Sequence, residues 1–331
     1  MSIKENHGFY QLSIDQIFQV AEDCGFNPTG AYFQLNSYEN RVFDLFLEET
    51  PELGNHVIVK VYRPNRWTLE AITEEHDFLR DLKDEGIPAV APLILNNGLT
   101  TIVHNEMIYS FFPKAVGRMP QELTLKDYVS LGMQLAKLHN LGAQKEVIHR
   151  QSLNVETYGW EALDLLEKWV APEVWDRYES SACQILEYLE DHLNYQSYIR
   201  IHGDCHKGNI LLTDPKDGNK EFFFVDFDDF VSGPPVQDFW MLFSSDNPEE
   251  EEELQSFLQG YKSLRNFDDK QLQLMPALRG MRIIYYGSWI AKRWEDPSFP
   301  KIFPEFKNYI YWAEEVEALE KIAWKLSQPI S

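Results

Sequence analysis

The chain has 331 residues, of which 44% are hydrophobic, and it carries a formal net charge of −23. This length is enough for two lobes that each bury a core, and the composition is typical of a globular protein. So acidic a chain is repelled by the phosphates of nucleic acids and by anionic membrane surfaces, so we exclude both classes of partner from our expectations.

The cysteines and the apolar runs indicate the compartment. Cys24, Cys183 and Cys205 form no CxxC pair, and such a sparse, odd set is typical of a reducing compartment. The N-terminal residues contain no apolar core of signal-peptide length, and no run reaches the roughly 18 apolar residues of a membrane span. We therefore expect a soluble, cytoplasmic protein without a membrane partner.

The first elements in the chain are a predicted helix and a strand–loop–strand. Apolar side chains recur at helical spacing over 14–24, and Gly25 is a stop signal. Strand-like segments then flank the polar stretch 36–40, which suits a loop over a nucleotide phosphate, with Ser37 offering its N–H and hydroxyl. Because this loop contains no glycine, an ordinary polar hairpin tip is an equally good interpretation.

A strand with a single lysine follows at 56–62. Alternation places Val57, Val59 and Val61 on one face and Lys60 on the other. A lysine inside an apolar strand either reaches solvent at an edge or serves a bound anion. The functional interpretation is a contact with the α- and β-phosphates of a nucleotide, as in the lysine strand of kinases.

The segment 68–84 predicts a helix with a carboxylate inside its apolar stripe. At about 100° per residue, Glu75 falls in the middle of that stripe, whereas Glu74 falls to one side. A carboxylate on a buried face needs a cationic partner. We predict that Glu75 pairs with Lys60, which is the pair that positions ATP phosphates in kinases. The alternative is that Glu75 reaches solvent at a helix end.

Residues 86–113 predict short strands, with an Asn-Gly turn at 97–98. We place a domain boundary after residue 112, which divides the chain into domains 1–112 and 113–331. The first domain is predicted to be rich in β-strand. The second is predicted to be mainly helical, because apolar residues recur at helical spacing along most of it.

The stretch Ile201–Asp229 carries the strongest chemical signal. It consists of a polar loop with Asp204 and Asn209, a predicted hairpin, and an acidic cluster that begins at Asp226. An Asp-x-x-x-x-Asn sequence before a hairpin that ends in a second Asp is the spacing of protein-kinase catalytic loops. An Asp-Gly pair at 217–218 suits a tight turn in that hairpin.

These residue types suit phosphoryl transfer. The reaction needs a base for the attacking hydroxyl, a role that Asp204 fits, and Mg²⁺ to neutralise charge on the transferred group. The amide oxygen of Asn209 and the carboxylate of Asp226 are hard ligands of the kind that Mg²⁺ prefers. The alternative is a surface loop with capping Asp and Asn residues. Three such residues at this spacing favour the catalytic interpretation.

Three further polar residues have structural interpretations. Cys205, beside the proposed base, is expected to be a small packing residue rather than a nucleophile. His139 adjoins an apolar helical stripe and is expected to be a packed or capping histidine rather than a ligand. Asp238, near the start of a predicted helix, either caps that helix or accepts backbone N–H bonds from the catalytic loop.

With these residues assembled, the chain resembles the kinase-like superfamily in its aminoglycoside-phosphotransferase branch. It resembles more closely the bacterial stress response kinase A family of serine/threonine protein kinases, and the resemblance covers nearly the whole chain. The matching blocks stand in the same order as in that family: LNSYENRV (35–42), VKVYRPNRW (59–67), EEHDFL (74–79), HGDCHKGNIL (202–211), VDFDD (225–229), SGPPVQDFWML (232–242) and KRWEDP (292–297).

This resemblance implies an α+β, two-lobed protein-kinase-like fold with a small β-rich N-lobe and a larger, mainly helical C-lobe, which bind ATP and Mg²⁺. It assigns proton acceptance to Asp204 and the metal to Asn209 and Asp226. For nucleotide contacts it points to three N-lobe residues: Ser37, Lys60 and Glu75.

The implied activity is that of an ATP- and Mg²⁺-dependent serine/threonine protein kinase of the stress response type, which also phosphorylates itself and is expected to be a monomer. The alternative is a small-molecule kinase that phosphorylates a hydroxyl of an amino alcohol, sugar or aminoglycoside with the same core residues. A third hypothesis, a nucleotide-binding scaffold without turnover, would not need Asp204. SGPPVQD begins six residues after Asp226, so the sequence leaves no room for a long activation segment. A protein acceptor is therefore implied by the family resemblance alone.

Overall fold

A computed structural model of the chain describes residues 7–50, 54–213, 221–243 and 250–328. These residues form two compact units. The first contains the described residues up to Asp127, with Val147–Arg150 and the described part of Lys207–Phe230, and the second contains the remaining described residues. The predicted Asp-Gly turn at 217–218 lies outside the described residues.

The first unit is built on a five-stranded antiparallel sheet with the strand order β1-β2-β3-β5-β4. Its strands are β1 (Pro28–Leu35), β2 (Arg41–Thr50), β3 (Gly54–Val61), β4 (Ile102–His104) and β5 (Met107–Phe112). The short helix α1 (His7–Tyr10) and helix α2 (Ile14–Asp23) precede the sheet, and a capping box between Ser13 and Gln16 starts α2.

The alternation predicted for the lysine strand is confirmed. Val57, Val59 and Val61 are all fully buried in one apolar core, to which α2 contributes Ile17 and Val20. Their strand places Lys60 on the opposite face, since successive side chains of a strand point to opposite sides of the sheet. The sheet core thus fixes the direction in which this lysine points.

Helix α3 (Leu69–Asp84) packs against the residues that follow a hairpin far along the chain. The hairpin is formed by β7 (Ile210–Thr213) and β8 (Glu221–Phe224). The ring of Phe78 on α3 lies 6.0 Å from the ring of Phe227 and 5.1 Å from that of Phe230. This packing explains why the hairpin belongs to the unit that holds the N-terminal sheet, although it lies far along the chain. The domain boundary after residue 112 stays a prediction.

The prediction of short strands before the Asn-Gly turn is wrong. Among the described residues from 86 to 101, the only strand-like pairing is an isolated bridge at Ala89, and a regular strand begins only with β4. Pro88 and Pro92 lack the N–H that a ladder needs, which accounts for the irregular path. The turn itself is confirmed, since Gly98 has a φ of +78° and donates to the carbonyl of Leu95 over 2.8 Å.

The second unit is mainly helical, and its helices match the helical periodicity of the sequence. They are α4 (Leu125–Gly142, from Tyr128 onward), α5 (Glu161–Leu166), α6 (Trp175–His192), α7 (Val236–Trp240), α8 (Glu251–Lys262), α9 (Met275–Lys292), α10 (Phe299–Ile302) and α11 (Tyr309–Leu326). A short antiparallel ladder pairs β6 (Ile199–Ile201) with β9 (Val231–Gly233). Within the described residues, no helix is both long and apolar enough to cross a membrane.

Helices α4 and α8 cross at two glycines, so their backbones touch. A Cβ atom on Gly132 would lie 2.1 Å from the carbonyl oxygen of Phe257, and one on Gly260 would lie 2.0 Å from that of Val129. Any larger residue at either position would force the helices apart. This close packing positions α4, whose buried His139 takes part in the site described next.

Candidate active site

Lys60 lies at the centre of a buried cluster of charges in the first unit. Its side chain is 9% exposed, and its Nζ contacts the carboxylate of Asp228 and lies 3.6 Å from Asp226 Oδ1. Burial disfavours the charged amine, but the surrounding carboxylates, Asp228 first among them, raise the pKa of Lys60 well above its usual value. Lys60 is therefore a permanent cation.

Glu75 is buried, as its place in the apolar stripe predicted, and does not reach solvent. The predicted pair with Lys60 is present but long, with 3.9 Å between Nζ and Glu75 Oε1. A closer cation is Arg150, whose Nη2 contacts the other carboxylate oxygen of Glu75. Burial raises the pKa of Glu75, and the charges of Lys60 and Arg150 oppose that shift. Glu75 is thus held between two cations.

Asp228 is a site residue to which the sequence interpretation gave no role. Asn40 and Lys60 both donate hydrogen bonds to its carboxylate, and Arg66 Nη1 lies 3.5 Å away. Burial opposes ionisation of Asp228, but Lys60 and Arg66 lower its pKa below the usual value. The sequence does show an acidic run after Val225 and basic residues after β3. No sequence pattern, however, predicts which acidic residue contacts which basic residue.

The hairpin brings the two predicted metal ligands to adjacent positions. Ile210 pairs with Phe224, and the N–H of Val225 donates to the carbonyl of Asn209 over 3.0 Å. Asp226 follows directly, with a left-handed backbone (φ 62°, ψ 69°) that non-glycine residues seldom adopt and a side chain that is 56% exposed. Strained backbone of this kind concentrates at functional sites.

A cavity of about 340 Å³ in the first unit contains four of the residues predicted from the sequence. They are Ser37, Lys60, Glu75 and Asp226, and Asp228 joins them. The remaining wall is largely apolar: Leu35, Val42, Ile58, Leu79, Val90 and Phe112. Ser37 Oγ also accepts the N–H of Asn40 over 3.3 Å, which helps to hold the loop between β1 and β2. The cavity thus combines an apolar wall with a buried cation.

Asp204 lies in the second unit, in the loop that follows β6. Arg282 Nη2 on α9 donates to its Oδ1 over 2.8 Å, and His206 Nε2 lies 3.5 Å from its Oδ2. Burial opposes ionisation, but the hydrogen bond from His206 and the charge of Arg282 lower the pKa of Asp204 below its usual value. The carboxylate is therefore ionised at neutral pH.

Asp238 accepts backbone N–H groups of that loop, which is the second of its two predicted roles. Its carboxylate accepts the backbone N–H groups of His202 and Gly203, both over 2.9 Å. It also lies 3.0 Å from Nε2 of His139, a buried histidine whose pKa is lowered by burial despite this contact. Cys205 is fully buried, and burial raises the pKa of its thiol, as suits a packing residue.

Comparison with known proteins identifies the family. The sequence pattern of the phosphotransferase enzyme family matches residues 34–276. The chain belongs to this family. It is also 32% identical to Stress response kinase A of Escherichia coli (strain K12) over 324 residues, which cover 97% of this chain and 95% of that protein. The expected membership of the stress response kinase A family, and with it the expected kinase class, is confirmed.

A second curated relative and a solved structure extend the comparison. The chain is 32% identical over 309 residues to the serine/threonine protein kinase RdoA of Salmonella typhimurium (strain LT2), covering 91% of this chain and 88% of that one. The structure of the amicoumacin kinase hAmiN in complex with AMP-PNP, Ca²⁺ and Ami superimposes with a TM-score of 0.75 at 18% identity, covering 98% and 96% of the two chains. The expected α+β, protein-kinase-like fold is thereby confirmed.

Proposed function

We propose that this family member is an ATP- and Mg²⁺-dependent serine/threonine protein kinase that also phosphorylates itself. The observation that carries the proposal is the cavity in which Ser37, Lys60, Glu75 and Asp226 meet. The residue types and spacing, together with the family resemblance, predict a contact with the nucleotide or its metal for all four.

The cavity suits a nucleoside triphosphate. Its apolar wall, which includes Val42 and Ile58 on neighbouring strands, suits the faces of a purine ring, and its volume lies within the range of small-ligand sites. Lys60 supplies a fixed positive charge for the phosphates. Ser37 would add a hydroxyl from the preceding loop.

The residues of the hairpin fit a magnesium ion. Mg²⁺ in phosphotransfer sites is usually held by one or two protein carboxylates or amides together with phosphate oxygens and waters. Asn209 and Asp226 provide one amide oxygen and one carboxylate just beyond the end of the β7–β8 ladder, where the N–H of Val225 donates to the carbonyl of Asn209. These two side chains would hold the ion, which supplies charge neutralisation for the triphosphate when bound.

Asp204 would orient the acceptor hydroxyl and accept its proton. Its ionised carboxylate can accept a hydrogen bond from an alcohol at neutral pH. The two backbone amides bound to Asp238 fix the start of the loop that carries Asp204, which would position this carboxylate for the acceptor.

The relative named as a serine/threonine protein kinase supports a protein acceptor, because identity with it extends over 91% of this chain. One structural observation favours a second candidate, a small-molecule kinase. Soon after Asp226 the chain forms β9 at Val231–Gly233 and α7 at Val236–Trp240. These residues leave no room for a long activation segment on which a peptide substrate could dock.

The three cysteines are free, and two of them are buried. Unpaired thiols are typical of reducing compartments. The free thiols therefore support our proposal that the protein acts in the cytoplasm. The expected monomeric state stays a prediction.

The test is to incubate the purified protein with radiolabelled ATP and MgCl₂, first alone and then with a generic protein substrate or a panel of amino alcohols, sugars and aminoglycosides. We expect label on serine or threonine of the protein itself and of the protein substrate. Asp204→Asn is the matched negative control. ADP release stimulated only by small acceptors, without protein labelling, would favour the second candidate. No Mg²⁺-dependent ADP release with any acceptor would overturn the proposed kinase.

A further inference from the structure

Arg150 is a fully buried arginine that the proposed function has not used. It belongs to the short segment Val147–Arg150, which is part of the first unit. Its side chain is 0% exposed. Burying a guanidinium is costly unless its charge and its N–H groups are matched, so its partners show what it does.

The guanidinium of Arg150 joins two parts of the cluster around Lys60. On helix α3, its Nη2 contacts the carboxylate of Glu75 and its Nε donates to the carbonyl of Ala71 over 2.9 Å. On the loop after β8, its Nη1 donates to the carbonyl of Asp228 over 2.6 Å. One side chain therefore fixes the helix that carries Glu75 and the backbone that carries Asp228.

Two further contacts hold Arg150 itself in place. Its guanidinium carbon lies 4.0 Å from the ring centroid of Trp67, a distance at which the aromatic face attracts the cation. The carboxylate of Glu74 accepts the backbone N–H groups of Ile148, His149 and Arg150 over 2.6, 2.7 and 2.8 Å. Glu74 and Glu75, adjacent on α3, thus bind the backbone and the side chain of the same segment.

We propose that Arg150 is a positioning residue for phosphoryl transfer. By contacting Glu75 and the carbonyl of Asp228 at once, it fixes α3 relative to the Asp228 loop, so that Lys60 is held between the two carboxylates and directed at the nucleotide phosphates. Without Arg150, the two segments would lose the side chain that links them, and Glu75 and Asp228 would no longer hold Lys60 in one position. The inference rests on the proposed roles of Lys60 and the cavity.

A lysine cannot make the three contacts of this arginine. The three acceptors lie on two separate segments, and the planar guanidinium reaches them from three different nitrogens. An ammonium group is a single point at the end of a flexible stem. Arg150→Lys keeps the charge that compensates Glu75 but loses the link between α3 and the Asp228 loop.

The experiment separates positioning from charge compensation. The variants are Arg150→Lys, Arg150→Met, Glu75→Gln and the double variant Glu75→Gln/Arg150→Met, in which the buried pair is neutral. Turnover and ATP affinity are measured together with the rate at which an acyl-phosphate derivative of ATP acylates Lys60, followed by mass spectrometry. This last readout needs no acceptor and reports directly on the alignment of Lys60 with the phosphates.

We expect Arg150→Lys to fold, to bind ATP within about threefold of wild type, and to lose tenfold or more in both kcat and Lys60 acylation. The double variant should recover thermal stability relative to Arg150→Met, yet remain at least tenfold below Glu75→Gln in kcat. Arg177→Lys is the control, since Arg177 pairs with Glu320 through two 2.8 Å contacts on the surface of α6. It should keep wild-type rates.

Wild-type kcat and acylation in Arg150→Lys would overturn the inference. So would a double variant that matches Glu75→Gln, because Arg150 would then only compensate a charge. If Arg150→Met does not fold, Arg150→Lys decides alone. Wild-type protein without ATP turnover or Lys60 acylation would instead overturn the proposed function, and with it this inference.

Discussion

Arg282 Nη2 donates to Asp204 Oδ1 over 2.8 Å, so a cation from α9 holds the proposed proton acceptor. The contact has two consequences for catalysis. It fixes the direction of the carboxylate, and together with His206 it keeps the pKa of Asp204 below the usual value despite burial. The proposed base is therefore ionised well below neutral pH.

Arg282→Leu should move the acid limb of the pH–rate profile to higher pH. A base with a lowered pKa loses activity only when the pH falls through that low value, and removing Arg282 raises the pKa of Asp204, so the loss begins earlier. When kcat is measured from pH 4 to 9, we expect the wild-type rate to stay level at the acid end and the rate of Arg282→Leu to fall as the pH approaches 4. The exposed Arg177→Leu serves as control, and an unmoved limb in Arg282→Leu would show that Arg282 does not govern this ionisation.

Asp204→Asn should abolish transfer while leaving nucleotide binding nearly intact. The substitution keeps the size of the side chain but removes its ability to accept a proton, and loss of a general base typically costs roughly 10²-fold or more. Single-turnover transfer from radiolabelled ATP, together with an ATP titration, measures the two properties separately. Unchanged turnover would remove Asp204 from its proposed role.

Asp226→Ala should lose the part of the ATP affinity that depends on Mg²⁺. Because Asp226 would be the only carboxylate of the proposed ligand pair, we expect a tenfold or larger rise in Kd in MgCl₂, on the order of 1.4 kcal/mol or more. In EDTA the variant and wild type should bind ATP alike, which makes the same protein its own control. A variant that binds Mg-ATP as wild type does would contradict the assignment of the metal site.

Glu315 on α11 should make the protein less stable at alkaline pH. Burial, with the nearby Glu314, raises the pKa of Glu315 to about 7. A carboxyl with a raised pKa in the folded state favours folding below the ordinary value near 4.5 and loses this contribution as the pH rises through about 7. Between about pH 4.5 and 7 the unfolded chain ionises this carboxyl more readily than the folded protein does, which costs stability on the order of 3 kcal/mol.

Glu315→Gln removes this titration, so its gain in unfolding free energy over wild type should be larger at pH 8 than at pH 5. Denaturant unfolding at both pH values measures it. Glu317→Gln, an exposed position on the same helix, removes the same charge without burial and should show no such difference. An equal gain for Glu315→Gln at both pH values would show that its carboxyl is not perturbed.

The sequence by itself determined which side chains turn inward. Alternation in β3 separated Lys60 from the apolar core, and the helical period of α3 placed Glu75 on the buried face. The spacing of Asp204, Asn209 and Asp226 gave the kinase motif and led to the family that the comparisons confirm. The buried and exposed faces can be predicted from the sequence because the direction of a side chain follows from the geometry of its own helix or strand.

Only the tertiary structure decided which charges meet. Lys60 contacts Asp228, Glu75 contacts Arg150, and Asp204 contacts Arg282, in pairs that are 168, 75 and 78 residues apart. Period and spacing carry no information about what lies opposite a side chain once distant segments pack together. A buried charge requires some partner, as the sequence correctly implied for Glu75, but packing chooses the partner.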